Sequence, residues 1–472
     1  MVGRQPALRI LHVGAAAALL LIASLAAQWP SPCVAEPPAR SSAPKLSLPQ
    51  AVAIALNRNH NMTLANLEVK RKEHQRRVAF SDFFPSIELE YTAEADRYDN
   101  LTNIEYLSYA QDSRWYERTI GGTTIVPAEP YRINTHQSFS LSATLTQPIF
   151  SGGKLLNEYK RAKLGAKAAR IQRKLDMQDL TLEVHKAFYH LVLSHKLLGT
   201  TTKSVKALDA NLKQSMAFHR AGIVLEVDVL AGSGQLAKAR ISQRKAAKAI
   251  ERYRAGLNFL LRYPPNAPTQ VIRNLTFKRT SYGIPQIFTI AVRNRLEIVK
   301  ANMTAQEAMA AVKVAQARLL PSLDLEVVGT RTNDDWNVLD REAYNDWTLK
   351  GVLTWTFDMY GRREKVKRDR VAYAKKFVDK QLLVQQIMEE VQTAFIAMKQ
   401  SEEDIPDTKI ALDAFLANYR KNVALYKQQL ATYREVLDAE KDAAQAAAAY
   451  YTALAKCVIN RSTLERKMGI LR

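Results

Sequence analysis

The 472-residue sequence sets 68 Lys and Arg against 46 Asp and Glu, a formal net charge of +22, with 47% apolar residues and only 17 Gly and 17 Pro. That composition excludes a disordered or collagen-like chain. Its cations, such as Lys160, Arg161, Lys163, Lys167, Arg170, Arg173 and Lys174, stand among acids without interleaved aromatics, which reads as a solvated helix face and argues against a nucleic-acid partner.

Residues 1–35 read as an export signal: Arg4 and Arg9 supply the charge, Gly14 to Ala27 the apolar core, and Cys33-Val34-Ala35 a small-x-small cleavage site. The apolar run is too short to span a bilayer as a helix. A lipoprotein reading, with acyl chains on Cys33, is the alternative; bulky Trp29-Pro30-Ser31-Pro32 argues against it. Cleavage after Ala35 would leave Cys457 as the only cysteine, too few for a disulfide framework or a cysteine-based metal site. Residues 36–46 form a Pro/Ser/Ala-rich leader.

The first structural repeat spans 47–265. Ser47 is the expected N-cap of a helix with Pro49 in its first turn, and the helical period of Ala51, Val52, Ala55, Leu56, Met62, Leu64 and Leu67 carries it to about Phe83, before Pro85. The period then changes to two. Strands are expected over about 85–95, with Ile87, Leu89, Tyr91 and Ala93 on one face, and 136–150, with Phe139, Leu141, Ala143 and Leu145 on one face. Between them lies a long loop with Gly121-Gly122 at a turn. After Gly152-Gly153 comes a proline-free stretch from 154 to 221, a helix of roughly 100 Å at 1.5 Å per residue. Val184, Leu191, Leu198, Val205 and Leu212 recur every seven residues along it, a coiled-coil seam. A turn at Gly222 returns the chain through a helix ending near 262.

After a linker over 266–284, a second repeat over 285–472 restates this programme. Pro285 and Pro321 match Pro49 and Pro85 at an offset of 236 residues (49 to 285). Beyond a shorter loop the offset becomes 207 (184 to 391), and the seam recurs as Val391, Met398, Ile405, Leu412 and Tyr419. Strands are expected at about 321–329 and 347–357 and a hairpin over 361–468. Pro406 and its counterpart Gly199 mark one level where both long helices carry a weakener.

The fold class is therefore mainly α with a membrane β-barrel part. Each of the four strands is about ten residues long, with one apolar-aromatic face and one Ser, Thr and acid face, the pattern of outer-membrane strands. Four strands cannot close a barrel, since small barrels need about eight, and open edges are not tolerated in lipid. The membrane reading thus requires self-assembly, and three copies would give twelve strands.

The sequence resembles the TolC-like outer membrane efflux protein family. The resemblance covers 46–472 and rests on Leu48-Pro49-Gln50-Ala51-Val52-x-x-Ala55-Leu56-x-x-Asn59, Pro85-Ser86-Ile87-x-Leu89, Gln147-Pro148-Ile149-Phe150-x-Gly152-Gly153, and Ala221-Gly222-Ile223 leading to Asp228-Val229-Leu230. It implies a homotrimer with a twelve-stranded barrel in outer-membrane lipid and a long α-helical periplasmic tunnel. The tunnel tips would dock a periplasmic membrane-fusion adaptor and an inner-membrane efflux or secretion pump. The resemblance further implies that the tips meet the adaptor through Gly222 and Ile223 and, in the second repeat, Gln429 and Leu430, where the usual glycine is missing. It assigns Asp228, Tyr426, Glu435 and Asp438 to a periplasmic aperture. The family's basic partner is replaced by Ala431, with Arg434 one turn away as the substitute. Threefold symmetry would triple each carboxylate into a negative ring that favours cations.

Other features carry no chemistry. His185, His190 and His195 are five residues apart and so share no helical face for a metal, and Gly232-Ser233-Gly234 lacks the lysine of a phosphate loop. No nucleophile–base set is visible, so no enzyme, cofactor or metal is expected. The competing reading is a soluble periplasmic coiled-coil scaffold or adaptor, which would not need four apolar-faced strands.

Overall fold

The computed structural model describes residues 45–98, 119–120, 123–124, 134–277, 279, 282–341, 343–358 and 360–471. The expected signal, the leader up to Pro44 and the Gly121-Gly122 turn lie outside the described residues. The first repeat contains α1 (Leu48–Arg58), α2 (His60–Ser81), β1 (Ser86–Tyr98), a small pair β2 (Thr119–Ile120) and β3 (Thr123–Thr124), β4 (Asn134–Phe150), α3 (Lys154–Arg220) and α4 (Glu226–Leu261). The second contains α5 (Ile284–Asn294), α6 (Leu296–Ala317), β5 (Ser322–Asn333), β6 (Tyr344–Thr354), α7 (Gly361–Lys427) and α8 (Tyr433–Lys467).

The single opening helix expected in each repeat is in fact two. In the first repeat Asn59 divides it: its side chain caps α2 by accepting from the Asn61 N–H at 2.8 Å, and its amide donates to the Leu260 carbonyl at 3.0 Å. A residue that offers the backbone a local partner breaks a helix more readily than the apolar period alone reveals. Arg295 marks the same break in the second repeat, between α5 and α6. Upstream, Ser47 is the N-cap of α1, and its N–H donates to the Gln50 side chain at 3.0 Å.

Four strands form one antiparallel sheet in the order β1-β4-β5-β6. The register makes its two faces chemically distinct. Ile87, Leu145, Val327 and Leu349 lie directly across from one another in one row, and Leu89, Ala143, Gly329 and Trp347 form the next. On the opposite face, Glu90, Ser142, Thr330 and Asp346 align, and a Lys350–Glu326 ion pair of 2.9 Å joins β6 to β5. The apolar rows are uncovered, with Leu89 72% and Trp347 74% exposed. Strands of 11 to 17 residues are long enough to cross a hydrocarbon layer, which takes about 9–11. The last strand ends at Thr354, so Trp355 and Phe357, expected within it, lie just beyond.

The helices α3 and α7 are each 67 residues long and run unbroken through Gly199 and Pro406. Their heptad residues form the seams: Val184, Leu191, Val391 and Met398 are completely buried. In the first repeat the seam closes with α1 and α4 through Ala51, Ala55, Leu257 and Leu261; in the second, Ile287 and Ala291 of α5 meet Leu464 and Met468 at the end of α8.

The two hairpins are tied together at this level by an ionic network. Arg466 of α8 binds Asp179 of α3 at 2.7 Å and Glu297 of α6 at 3.0 Å. Arg295 and Lys467 share Glu390 of α7, at 3.1 and 2.9 Å. Both arginines are buried and each is paired with acids, so neither charge is left uncompensated in the interior. The histidines of α3 are structural too. His185 bonds Ser462 Oγ at 3.0 Å, His190 stacks on Tyr253, and burial, reinforced by Arg273 and Arg254, lowers the pKa of His195 to about 4.

Candidate functional site

The ends of the hairpins away from the sheet hold all the residues singled out for docking and gating. At the first tip, α3 ends at Arg220 and Gly222 takes the left-handed conformation (φ +75°). The Ile223 N–H then donates to the Phe218 carbonyl and the Gly222 N–H to the His219 carbonyl, both at 2.9 Å, which terminates the helix by a Schellman motif. At the second tip Gln429 adopts φ +65°, the Leu430 N–H donates to the Leu425 carbonyl at 2.9 Å and the Gln429 N–H to the Tyr426 carbonyl at 3.1 Å. The glycine is missing but the turn is the same. A side chain in this region costs about 1–2 kcal/mol, which the packing of the tip offsets.

Ile223, Leu225, Val227 and Leu230 at the first tip and Leu430 at the second are exposed. An apolar collar of this kind on a polar rod marks a surface that contacts something else.

Behind the tips a shared core holds the hairpins together: Leu208, Leu212 and Leu236 from the first, and Tyr426, Tyr433, Val436 and Leu437 from the second. Tyr426 lies between Phe218 and Tyr433, with ring centroids 5.5 and 5.4 Å away. Burial pushes its phenol pKa up, and the carboxylate of Asp228 adds to the rise. Tyr433 is shifted in the same direction by burial, by its two tyrosine neighbours Tyr426 and Tyr419, and by Asp228. Its hydroxyl is buried without a hydrogen-bond partner among the described residues. Asn211 donates to the Tyr419 hydroxyl at 3.1 Å, extending the polar thread between α3 and α7.

The remaining predicted residues stand apart from this core. Arg434, Glu435 and Asp438 lie on the first turns of α8 with exposed side chains. Glu435 has a structural task as well: it accepts from the Thr432 N–H at 2.8 Å while the Thr432 hydroxyl accepts from the Glu435 N–H at 3.3 Å, a complete capping box. No ion pair joins Arg434 to Asp228 among the described residues.

Sequence reasoning missed Tyr433 and Gly232. A Cβ on Gly232 would stand 2.4 Å from the Tyr433 Oη, so the α4 glycine exists to let the α8 ring approach. The repeat held the signal: shifted by 207, Gly232 falls on Ala439, which is also buried, so both return helices keep a small residue at this level.

Similarity to known proteins agrees with this architecture. The fold matches the outer membrane channel CmeC of Campylobacter jejuni with a TM-score of 0.75 at 17% identity, covering 89% of this chain and 85% of that one. The outer membrane protein VceC of Vibrio cholerae matches at 0.71 and 16% (89% and 96% covered), and the open state of the Neisseria gonorrhoeae MtrE channel at 0.71 and 16% (90% and 90%). No curated protein matches the sequence significantly. The pattern of the outer membrane efflux protein family matches residues 51–261 and 289–469. With both repeats matched, the chain belongs to the outer membrane efflux protein family: it is an outer-membrane channel rather than an enzyme, with its strands in the barrel and its helical hairpins in the periplasmic tunnel.

Proposed function

We propose that three copies of this chain form a continuous exit duct that receives cargo from an inner-membrane pump through a periplasmic adaptor. The observation that carries the reading is the sheet. It has an exposed apolar face, a polar opposite face, and two open edges, β1 and β6. Lipid tolerates no open edge, so β6 of one copy pairs with β1 of the next, and three sheets of four strands close a lumen lined by the polar face. The exposed apolar collar at Ile223, Leu225, Val227, Leu230 and Leu430 supports docking of an adaptor at the tips. A soluble scaffold would leave the apolar rows in water, which disfavours that alternative.

Asp228 and Tyr426 form the fixed part of the aperture, and Glu435 and Asp438 its exposed acids; Arg434 makes no ion pair with Asp228 among the described residues and is assigned to a neighbouring copy. The test is single-channel recording on the full-length protein in planar bilayers. Asp228→Ala and Asp438→Ala are expected to raise conductance or weaken block by multivalent cations. Unchanged currents in both variants would refute the aperture, and recovery of the protein in the soluble periplasmic fraction would refute the duct.

A further inference from the structure

Where the strands give way to the tunnel, α6 packs between α3 and α7. A cavity of about 270 Å³ opens among these three helices, lined by Arg161, Arg318, Arg362, Lys365 and Arg368 with Asp369 as the one acid. Asp369 pairs with Arg368 at 2.7 Å and Glu307 of α6 with Arg161 at 3.6 Å; Arg318, Arg362 and Lys365 have no ion pair among the described residues and repel one another unless an anion joins them. The local backbone makes this worse. Arg362 and Lys365 lie in the first turns of α7, where the helix dipole disfavours positive charge. The Arg362 guanidinium donates to the Arg318 backbone carbonyl at the end of α6, which fixes Arg362 at the cavity's edge. Glu364 binds Lys367 at 2.8 Å, and Asp358 caps the Gly361 N–H at 2.8 Å, a bond that lowers the Asp358 pKa with a further contribution from Arg362 and Lys365.

The height of the cavity identifies the anion. Arg318 lies four residues before β5 begins at Ser322, and Arg362 eight residues after β6 ends at Thr354. At the same level the Trp355 indole donates to the Leu319 carbonyl at 3.2 Å and its ring packs on Phe357, an aromatic pair of the kind that marks a membrane–water boundary. We propose that this cavity binds the phosphate of an anionic phospholipid headgroup from the periplasm-facing leaflet. The lipid thereby neutralises the cluster and anchors the tunnel's base to the bilayer. The site is complete within one chain. Basic residues held at this depth recognise headgroup phosphate by charge, with the guanidinium forks adding direction.

The test uses full-length protein in mild detergent, equilibrated with equal amounts of phosphatidylglycerol and phosphatidylcholine of the same acyl chains and read by native mass spectrometry. The wild type is expected to retain phosphatidylglycerol in preference. Arg318→Gln with Arg362→Gln is expected to lose that preference by about thirtyfold, two basic contacts removed. Arg170→Gln, which breaks only a surface pair with Glu73, is expected to behave as wild type. Lys365→Ala is a milder variant, expected to weaken the preference severalfold even where the double variant fails to fold. Equal retention of both lipids by the wild type, or unchanged selectivity in folded variants, overturns the proposal. Displacement of the lipid by millimolar inorganic phosphate would also overturn it, as that result assigns the cavity to a free anion such as cargo.

Discussion

Replacing Gly232 by alanine tests whether the two hairpins are held by a close contact at the tip. In an exposed helix interior, Gly→Ala stabilises by about 1 kcal/mol because alanine has less backbone freedom to lose. At Gly232 the added Cβ would meet Tyr433 Oη at 2.4 Å, Cε1 at 2.6 Å and Cζ at 2.9 Å. The ring cannot retreat freely, because Tyr426 packs on it with centroids 5.4 Å apart and Tyr433 is only 2% exposed. Overpacking of this kind costs about 1–3 kcal/mol, which outweighs the propensity gain and gives a net loss of about 1 kcal/mol. Gly234, two residues on in the same helix, has nothing within 4 Å of its Cβ position, so Gly234→Ala is the control and is expected to stabilise. The readouts are the thermal midpoint by circular dichroism and the rate of protease nicking at the tips. Combining Gly232→Ala with Tyr433→Leu should restore the favourable sign relative to Tyr433→Leu alone, because the clash partner is gone. If Gly232→Ala raised the midpoint as much as Gly234→Ala does, the contact would not exist and the reasoning would fail.

Gln429→Gly should stabilise the second tip by up to about 1 kcal/mol, since φ +65° is costly for glutamine and free for glycine; a lower thermal midpoint would show that the Gln429 side chain itself is needed. Leu349→Arg places a charge in the apolar row opposite Val327, at an expected cost of about 2–4 kcal/mol near the bilayer centre, and should abolish recovery in the outer-membrane fraction. Normal yields of membrane-inserted protein would count against the lipid-facing assignment. His195 gives a pH dependence: its folded pKa, lowered to about 4, lies below the unfolded value of 6.5, so its contribution is intact above pH 6.5 and is lost as pH falls towards 4. His195→Gln should therefore flatten the fall in thermal midpoint between those limits, and a parallel fall in both proteins would reject it.

Much of this fold is legible in the sequence because its signals are local and repeated. A seven-residue beat, a switch to period two and prolines at element ends each act over short windows, and the 207-residue echo writes them twice. Legibility fails where the deciding interaction is non-local. Nothing near Asn59 announces that its amide will reach the Leu260 carbonyl and divide the first helix. Nothing in the seam of α3 shows that Asp179 meets Arg466, whose sequence distance is 287 residues. The cavity at the base of the barrel is equally silent, since Arg161, Arg318 and Arg362 look like ordinary solvated charges until three helices bring them together.

The tips show the same limit from the opposite side. Backbone propensity assigns Gly222 to a left-handed turn and denies it to Gln429, yet both residues end their helices with the same pair of hydrogen bonds. The reason lies in the core behind them. Tyr426, three residues before Gln429, is buried against Phe218 and Tyr433, and Tyr433 begins α8 just after the Thr432 cap. With both ends anchored this tightly, only a left-handed residue can close the gap, whatever its side chain. Tertiary packing thus overrides local preference. It follows that the two tips differ in chemistry and not in shape: one presents Gly222 and Ile223, the other Gln429 and Leu430, on the same turn. An adaptor that distinguishes the tips must therefore read their side chains, since the backbone gives it nothing to choose between.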